Sequence, residues 1–432
     1  MFRRKKKSEL DLLPLHQPAH ERVSVEGMEA QRDRLARLRR LRARKWYQRV
    51  HLPVPHLGLL AKVRGGRGEG VRSAAEAPVE DPKDPWFINE RAFPASREVQ
   101  AKLQFCLKYA VLAPSSHNSQ PWRFRVGVRH ADVIADRSRG LPVVDPEDRE
   151  LTISCGAALY HLELAAHVHG MRTETELLPS AADGDLLARV KVVGDSEPTP
   201  EHGSMLKAVV RRHTHRGAFE DRQPPVALLE RCRSLAAGFG VGFRVLEGRD
   251  RIVLSELIAE ADLMQLGDRR FRRELASWMH HNRSHSKDGL PGFALGMSEV
   301  ESVAVPWIVR TFDVGDGRAA KDEELAQHSP VLAVFDTPGD EVGDWVNAGR
   351  ALAAVLLKAT AAGMAASYLN QPIEVGELRP RVGKLVHGMG RPQLVVRMGY
   401  AQGMRHTPRR PVDEVYEWSP VDIAEEDDLA GG

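Results

Sequence analysis

A polar, turn-rich loop in the first half of the chain carries the side chains best suited to hold a ligand. It runs from Ala113 to Phe124 and reads APSSHNSQPWRF. It lies between a helical pattern over residues 96–112 and a strand pattern over residues 122–128. Hydroxyl and carboxamide groups make many directional hydrogen bonds, so the loop suits a flat heteroaromatic ligand. The plainer alternative is a polar loop that caps a helix.

Two groups of arginines farther along the chain suit an anion. Arg212, Thr214 and Arg216 form an R-x-T-x-R pattern after a helical segment, and alternate residues of extended backbone point the same way. Arg409 and Arg410 stand between prolines, after a strand pattern that ends in Gly-Tyr. Guanidinium groups bind phosphate through two parallel hydrogen bonds. A basic surface turn and a solvated tail are the alternatives.

Histidine pairs offer half of a metal site at two places. His281 and His285 have the i, i+4 spacing of a helix. His213 and His215 have the alternate spacing of a strand, beside the R-x-T-x-R pattern. Neither pair has an obvious third ligand nearby, so we expect no metal site.

Two similar helices must help to position these residues. One helical run lies between Gly156 and Gly170, and the other lies between Gly349 and Gly363 with the same spacing. Methionine and then a strand pattern follow each closing glycine, and glycine suits a helix C-cap. The repetition indicates a duplicated α+β unit, although two helices rich in alanine and leucine can also resemble each other by chance.

The second unit contains a long interruption between residues 274 and 329. The sequence predicts a partly helical insertion with a turn at Asp288-Gly289. Long insertions in compact domains are often lids, and we predict a lid over about residues 275–328.

Composition fits a soluble globular protein. The chain has 432 residues, of which 42% are hydrophobic and 28% charged, with a net charge of +3. No apolar run is long enough to span a membrane, and the basic N-terminus lacks the apolar core of a secretory signal, so we expect a cytoplasmic location. The cysteines are odd in number and widely spaced, which argues against a disulfide framework and a structural zinc site: Cys106, Cys155 and Cys232.

Residues 1–90 are predicted to be a basic, partly disordered extension and linker. Leu35, Leu38 and Leu41 have helical spacing opposite a basic face, and residues 64–70 are rich in glycine. Such a helix could touch nucleic acid or an anionic membrane. A solvated or partner-bound arm is the more common role, so nucleic acid is not the expected partner.

Together, the loop and the two arginine patterns resemble the nitroreductase family of FMN oxidoreductases, over about residues 90–420. In that family, an R-x-S-x-R element and a C-terminal arginine hold the FMN phosphate, and a P-S-S-x-N-x-Q-P-W element holds the flavin ring. The phosphate candidates carried over are Arg212, Thr214, Arg216, Arg409 and Arg410. The ring and ribityl candidates are Pro114, Ser115, Ser116, Asn118 and Gln120. The segment that resembles the one bonded to flavin N5 is Tyr368, Leu369, Asn370 and Gln371.

The ring element occurs only in the first half of the chain, and the phosphate element only in the second. Ordinary family members are homodimers with two sites, so the chain resembles a fused pseudo-dimer with one site, as in the Acg subfamily. This implies an α+β nitroreductase-like fold of two tandem lobes, residues 91–200 and 201–425, with one FMN. In the Acg subfamily an insertion covers the flavin, and residues 289–297 would be its tip.

The resemblance implies hydride transfer from NADPH or NADH through FMN to a small acceptor, such as a nitroaromatic or a quinone. The alternative is a catalytically silent protein that binds or sequesters FMN under its lid. The choice of nicotinamide, the natural acceptor, and the oligomeric state (a monomeric pseudo-dimer or a homodimer) stay open from the sequence alone.

Overall fold

The computed structural model describes residues 83–386 and 390–418. These residues belong to the compact unit Gly66–Gly432. The predicted leucine-containing helix and glycine-rich linker, and most of the predicted extension, lie outside the described residues. None of the helices in the two described ranges combines the length and the apolar character that a membrane span requires.

The described part of the chain contains eleven α-helices. In chain order they are α1 (Val99–Ala110), α2 (Arg149–Val168), α3 (Pro200–Val209), α4 (Val226–Ala237), α5 (Gly248–Gly267), α6 (Arg269–Trp278), α7 (Glu299–Thr311), α8 (Gly315–His328), α9 (Val342–Ala361), α10 (Gln371–Glu374) and α11 (Arg379–Leu385). The helix predicted over residues 96–112 is confirmed as α1. The two helices predicted between glycines are confirmed as α2 and α9, and each has 20 residues.

The strands form two main sheets and one short ladder. They are β1 (Trp122–Val126), β2 (His130–Ala135), β3 (Met171–Leu177), β4 (Leu186–Asp195), β5 (Gly242–Val245), β6 (Met279–His280), β7 (Leu290–Pro291), β8 (Val331–Thr337), β9 (Met364–Tyr368), β10 (Arg391–Tyr400) and β11 (Tyr416–Trp418). The first sheet has the order β11-β1-β2-β4-β3, the second has the order β5-β8-β10-β9, and β6 pairs with β7. Each half of the chain thus supplies most of one sheet and one of the two matching helices, α2 or α9, which confirms the predicted α+β class and the two tandem lobes.

The C-terminal strand crosses back to the first half. β11 lies parallel to β1, with Tyr416 opposite Phe124, and the Phe124 N–H donates to the Val415 carbonyl at 2.7 Å. The predicted second lobe over residues 201–425 did not anticipate this exchange. Pairing between segments so far apart in sequence leaves no local signal in either segment, which is why the exchange was not anticipated. The lobe boundaries stay predictions.

Helices α2 and α9 cross at a pair of glycines in the centre of the molecule. A Cβ atom on Gly156 would lie 2.2 Å from the Val346 carbonyl oxygen, and one on Gly349 would lie 2.0 Å from the Ile153 carbonyl oxygen. Only glycine allows two helix backbones to come this close. The helices also end alike, at Gly170 with φ +82° and at Gly363 with φ +83°, so the repeated glycine spacing of the sequence has a structural cause.

Replacing Gly349 with alanine is expected to lower the free energy of unfolding by about 1–3 kcal/mol, because the two helix backbones would have to move apart. Chemical denaturation measures the change. Gly343 is the matched control, since it lies in the same helix and a Cβ atom there would have no neighbour within 4 Å. Gly343→Ala is expected to be neutral or stabilising. Equal effects of the two substitutions would contradict the close crossing.

The predicted insertion over residues 275–328 is confirmed as partly helical. It contains the end of α6, the β6–β7 ladder, α7 and α8. The bend predicted at Asp288-Gly289 is present, and Gly289 has φ +71°. Because a residue with a Cβ rarely adopts this conformation, glycine permits the chain to turn directly into β7.

Candidate functional site

A cavity lies where the polar loop, the arginine patterns and the insertion meet. Several predicted cofactor residues line it together: Pro114, Ser115, Asn118, Arg212, Thr214, Arg216 and Arg409. Leu290 and Ala294 of the insertion also line it. The fold therefore brings one loop of the first half beside two segments of the second half.

The polar loop has an unusual backbone conformation. His117, Asn118 and Gln120 have φ values of +51°, +55° and +52°, in the left-handed region that residues with a Cβ rarely adopt. Hydrogen bonds hold this shape, because the Gln120 N–H donates to Ser115 Oγ at 2.9 Å and Asn118 Nδ2 donates to the Gly289 carbonyl at 3.1 Å. Such conformations cluster at ligand sites, where the surrounding structure compensates for their strain.

The R-x-T-x-R segment is extended and lies beside β9. Thr214 forms a parallel bridge with Ala366, and the His215 N–H donates to the Ala366 carbonyl at 2.8 Å. Arg397 supports the segment, because its guanidinium donates to the carbonyls of His215 and Gly217. The alternate side chains of Arg212, Thr214 and Arg216 consequently reach the same cavity, as the spacing predicted.

Several arginines line the cavity, and within the described part of the chain no carboxylate does. Arg212 and Arg409 are only 4% and 5% exposed, and the Nε atom of each has no hydrogen-bond partner among the described residues. Burial lowers the pKa of Arg212. Burial, and then the charge of Arg212, hold the pKa of Arg409 well below its usual range. Burial, and then the charge of Arg318, lower the pKa of Arg216 to about 10. Buried cations that repel one another are stabilised by a bound anion.

Arg409 and Asn118 join the C-terminal segment to the polar loop. Arg409 Nη1 donates to Asn118 Oδ1 at 2.6 Å and to Thr407 Oγ1 at 2.7 Å. Asn118 Nδ2 in turn donates to the Pro408 carbonyl at 3.1 Å. These bonds fix the Arg409 guanidinium at the cavity wall, so little rotamer freedom remains to be lost when an anion binds.

Gln120 and Arg410 lie outside the cavity lining. Gln120 Nε2 donates to the Lys287 carbonyl at 2.8 Å, and Gln120 Oε1 accepts from the Arg410 N–H at 2.8 Å. The Arg410 guanidinium donates to the Gln120 carbonyl and lies 3.9 Å from Asp136. Both residues thus clamp the loop, the insertion and the C-terminal segment together, and their predicted contact with a cofactor stays a prediction.

The predicted N5 segment lies at the end of β9, and none of its four residues lines the cavity. The Tyr368 hydroxyl is buried and has no partner within the described part of the chain. Burial raises the pKa of Tyr368, and the charges of Arg212, Arg216 and Arg409 partly offset this rise. Leu369 packs in an apolar core cluster. The side chains of Asn370 and Gln371 bond to protein carboxylates. The side chains of this segment are therefore mostly engaged with protein.

Similar proteins decide the family. No protein-family model matches the chain. The Mycobacterium tuberculosis protein named "Putative NAD(P)H nitroreductase Rv3131" is 31% identical over 344 residues, which are 78% of this chain and 96% of that protein. The chain belongs to the nitroreductase family. A second relative, "Putative NAD(P)H nitroreductase acg" of the same organism, is 30% identical over 73% of this chain and 95% of its own length, which confirms the predicted likeness to Acg. Among solved structures, the nitroreductase NfnB from Mycobacterium smegmatis is 16% identical with a TM-score of 0.33, over 50% of this chain and 99% of that chain.

Glu150 supports the polar loop, a role that the sequence did not reveal. Its carboxylate is 3% exposed, and it accepts from the Ser116 hydroxyl and from Asn370 Nδ2 at 3.1 Å. Arg149 pairs with it at 3.2 Å. Glu150 therefore ties the polar loop of the first half to the β9 end of the second half. Nothing in the helical pattern around Gly156 distinguished it from a solvated glutamate.

Trp86 and His406 are two further residues that the sequence did not reveal. Their rings stack at 4.0 Å, and Trp86 Nε1 donates to the Thr407 carbonyl at 2.9 Å. The Arg409 guanidinium lies over the Trp86 ring at 4.9 Å. Trp86 lies in the segment that the sequence assigned to the extension, so the start of the described chain in fact closes one end of the cavity.

Burial lowers the pKa of several histidines in and near the cavity. Burial lowers the pKa of His406 and of His117 to about 4. Burial, and then the charges of Arg212 and Arg409, lower the pKa of His161 to about 3. Within the described residues, no group of three histidine, cysteine or acidic side chains has a metal-binding arrangement.

Acid is expected to destabilise the fold through His161, because its imidazole is neutral when folded and protonates below about pH 6.5 when unfolded. The contribution of His161 to the free energy of unfolding is fully present above pH 6.5 and is lost progressively as the pH falls toward 3. From pH 7 to pH 5 this one group removes about 2 kcal/mol. His161→Gln should shrink the stability difference between pH 7 and pH 5, measured by urea denaturation, by about that amount. The exposed His281 is the control, and an equal effect of His281→Gln would contradict the assignment.

Proposed function

We propose that this chain binds one FMN in the cavity and is an NAD(P)H-dependent oxidoreductase. The observation that carries the proposal is the set of Arg212, Arg216 and Arg409, of which Arg212 and Arg409 are buried. This set has no carboxylate partner among the described residues and stands beside a loop of hydroxyls and carboxamides. A flavin mononucleotide offers both a phosphate for the cations and a heteroaromatic ring system for the loop. The residues present fit that cofactor.

The role of each residue follows from its place in the cavity. Arg212, Arg216 and Arg409 would bind the phosphate, with Thr214 as a hydroxyl donor. Pro114, Ser115 and Asn118 would contact the ribityl chain and the ring. Bound FMN would supply hydride acceptance and donation, while the protein supplies orientation and electrostatics. The names of the two relatives support NADPH or NADH as the reductant.

A single site per chain is supported by the difference between the two halves. Helices α1 and α4 each have 12 residues, and each precedes the first strand of its sheet. After α1 the chain forms the polar loop. After α4 it forms only Gly238-Phe239-Gly240-Val241, which has no hydroxyl or carboxamide side chain. The two lobes, residues 91–200 and 201–425, would thus act as an intramolecular dimer that retains one flavin site.

The insertion would serve as a lid over this flavin. The Arg216 guanidinium donates to the Ala294 carbonyl at 3.2 Å, and Arg405 lies over the Phe293 ring at 4.5 Å. The Gly289 N–H donates to the Asn118 carbonyl at 3.3 Å. Residues 289–297 therefore occupy one wall of the cavity, which restricts the electron acceptor to a small planar molecule, such as a nitroaromatic or a quinone.

The strength of these contacts also favours a second function, FMN binding without turnover. Besides the bonds to Asn118 and Gln120, ion pairs join Arg139 to Asp288 and Lys287 to Glu414. Together these contacts fasten the insertion, next to its tip, to the polar loop, the turn that follows β2 and the C-terminal segment. A lid held from three sides would keep nicotinamide from the ring, and the protein would then sequester FMN.

Anaerobic addition of NADPH, and separately NADH, to the FMN-loaded protein tests these functions. Loss of the visible flavin absorbance would support the oxidoreductase. A flavin spectrum that persists with both nicotinamides, but bleaches with dithionite, would support sequestration. Protein that takes up no FMN would contradict both functions.

A further inference from the structure

One side of α7, a helix of the insertion, is apolar and exposed. Val300, Val303 and Trp307 are 79%, 69% and 61% exposed, and their three- and four-residue spacing places them on one side of the helix. Phe312 follows the helix, is also exposed, and its ring meets the Trp307 ring edge-on at 5.6 Å. These four residues form the α7 face. The other exposed large hydrophobic side chains of the described part each lie on a different segment, so the α7 face is a distinct patch.

The opposite side of α7 fixes the rotation of the helix. Ser302 and Val309 are buried there. Ser302 Oγ accepts from the Asn282 N–H at 3.1 Å, and a Cβ atom on Gly292 would lie 2.3 Å from Ser302 Cβ. Because Ser302 packs this closely on the rest of the insertion, α7 cannot turn its apolar side inward. A contiguous apolar patch that stays exposed in this way marks a surface for association.

Two opposite charges lie on one flank of the α7 face. Glu299 begins α7, and Arg310 is in its last turn. Eleven residues make about three helical turns, so the two side chains point to the same flank and lie about 16 Å apart along the axis. Arg310 is exposed and makes no ion pair or hydrogen bond through its side chain within the described residues. The Glu299 carboxylate pairs only with Arg283 at 3.1 Å, and both side chains are exposed.

We propose that the α7 face binds the α7 face of a second copy of this chain, with the two helices antiparallel about a two-fold axis. Glu299 of each copy then lies opposite Arg310 of the other copy, because both side chains are on the same flank. Burial of Trp307 and its apolar neighbours supplies the affinity, and the two symmetric charge pairs fix the direction of the helices. An anionic membrane does not match this charge pattern, since Glu299 and the exposed Glu301 would be repelled. The inference does not depend on the binding of FMN.

Sedimentation equilibrium of the full-length protein over a range of concentrations tests the proposal. The chain is expected to dimerise reversibly. Trp307→Ser is expected to weaken dimerisation at least about tenfold, because a buried aromatic side chain near the centre of an interface contributes most to binding. Trp418→Ser is the matched control, since Trp418 is 60% exposed but lies on β11 of the first sheet, and it should leave dimerisation unchanged. A dimer that Trp307→Ser leaves intact overturns the inference.

Reversal of the two charges tests the antiparallel arrangement. Arg310→Glu and Glu299→Arg should each weaken dimerisation, because like charges would then face each other across the interface. The two substitutions together should restore dimerisation, since opposite charges again lie face to face. The two side chains are about three turns apart within one chain, so only contact between copies can produce this rescue. A double variant that dimerises as weakly as the single variants overturns the inference.

A chain that stays monomeric at every concentration also overturns the inference. Cosedimentation with vesicles of phosphatidylglycerol and phosphatidylcholine then identifies the other occupant of the α7 face. If the monomer sediments with these vesicles and the Trp307→Ser variant does not, the face binds a lipid surface instead of a second copy.

Discussion

Replacing Arg212 with methionine is expected to weaken FMN binding by about 1.5–3 kcal/mol, roughly 10- to 150-fold, without destabilising the FMN-free protein. The loss follows because a desolvated phosphate would lose a charged donor. The retained stability follows because the buried guanidinium would lose only the 3.3 Å bond from Nη2 to the Leu112 carbonyl. Its Nε has no partner in the described structure, and burial lowers its pKa. The positive charge of Arg212 destabilises the FMN-free protein, and it stabilises the complex in which the FMN phosphate is bound.

Fluorescence quenching of FMN measures the affinity, and thermal unfolding of the FMN-free protein measures the stability. Arg211→Met is the matched control, since Arg211 is the exposed neighbour and its side chain donates from Nε to the Lys207 carbonyl at 3.3 Å. It should change neither quantity much. An Arg212→Met protein with unaltered FMN affinity would remove Arg212 from the phosphate site.

Replacing residues 287–297 with a short flexible linker is expected to speed reduction of the bound flavin by NADPH roughly tenfold or more, because the covering wall of the cavity would be lost. Leu290 and Ala294 line the cavity, and the segment holds Gln120 through the Lys287 carbonyl. The rate is measured from the decay of flavin absorbance in an anaerobic stopped-flow experiment.

A linker of the same composition in place of residues 312–314 is the control for this replacement. Those residues join α7 to α8 within the insertion, and none of them lines the cavity. Their replacement should leave the reduction rate unchanged. If the 287–297 replacement reduces at the same rate as the full chain, the segment is not a lid.

Local patterns predicted the parts of the fold that depend on local spacing. The glycines at 156 and 349 signalled two equivalent helices because close helix crossing requires them at matching positions. The R-x-T-x-R segment predicted convergent side chains because its alternation is a property of extended backbone. Both patterns act within a few residues, so a single sequence contains them.

Long-range pairing explains what the sequence could not supply. Glu150 looked like any helix-surface glutamate until the fold set it between Ser116 and Asn370. Trp86 belongs to the site because His406 of the C-terminal segment stacks on it. The same C-terminal segment places β11 beside β1 in the first sheet. Gln120 shows the reverse case, since a residue suited by type to bind a cofactor is occupied by Lys287 and Arg410.

The stoichiometry of bound flavin tests the central claim most directly. The purified full-length protein would be incubated with excess FMN, freed of unbound flavin by gel filtration, and measured for flavin absorbance and protein concentration. One FMN per chain is the predicted result, because only the first half carries the polar loop and only the second carries the R-x-T-x-R segment. No retained flavin, or two per chain, would contradict a fused pair of lobes with a single flavin site.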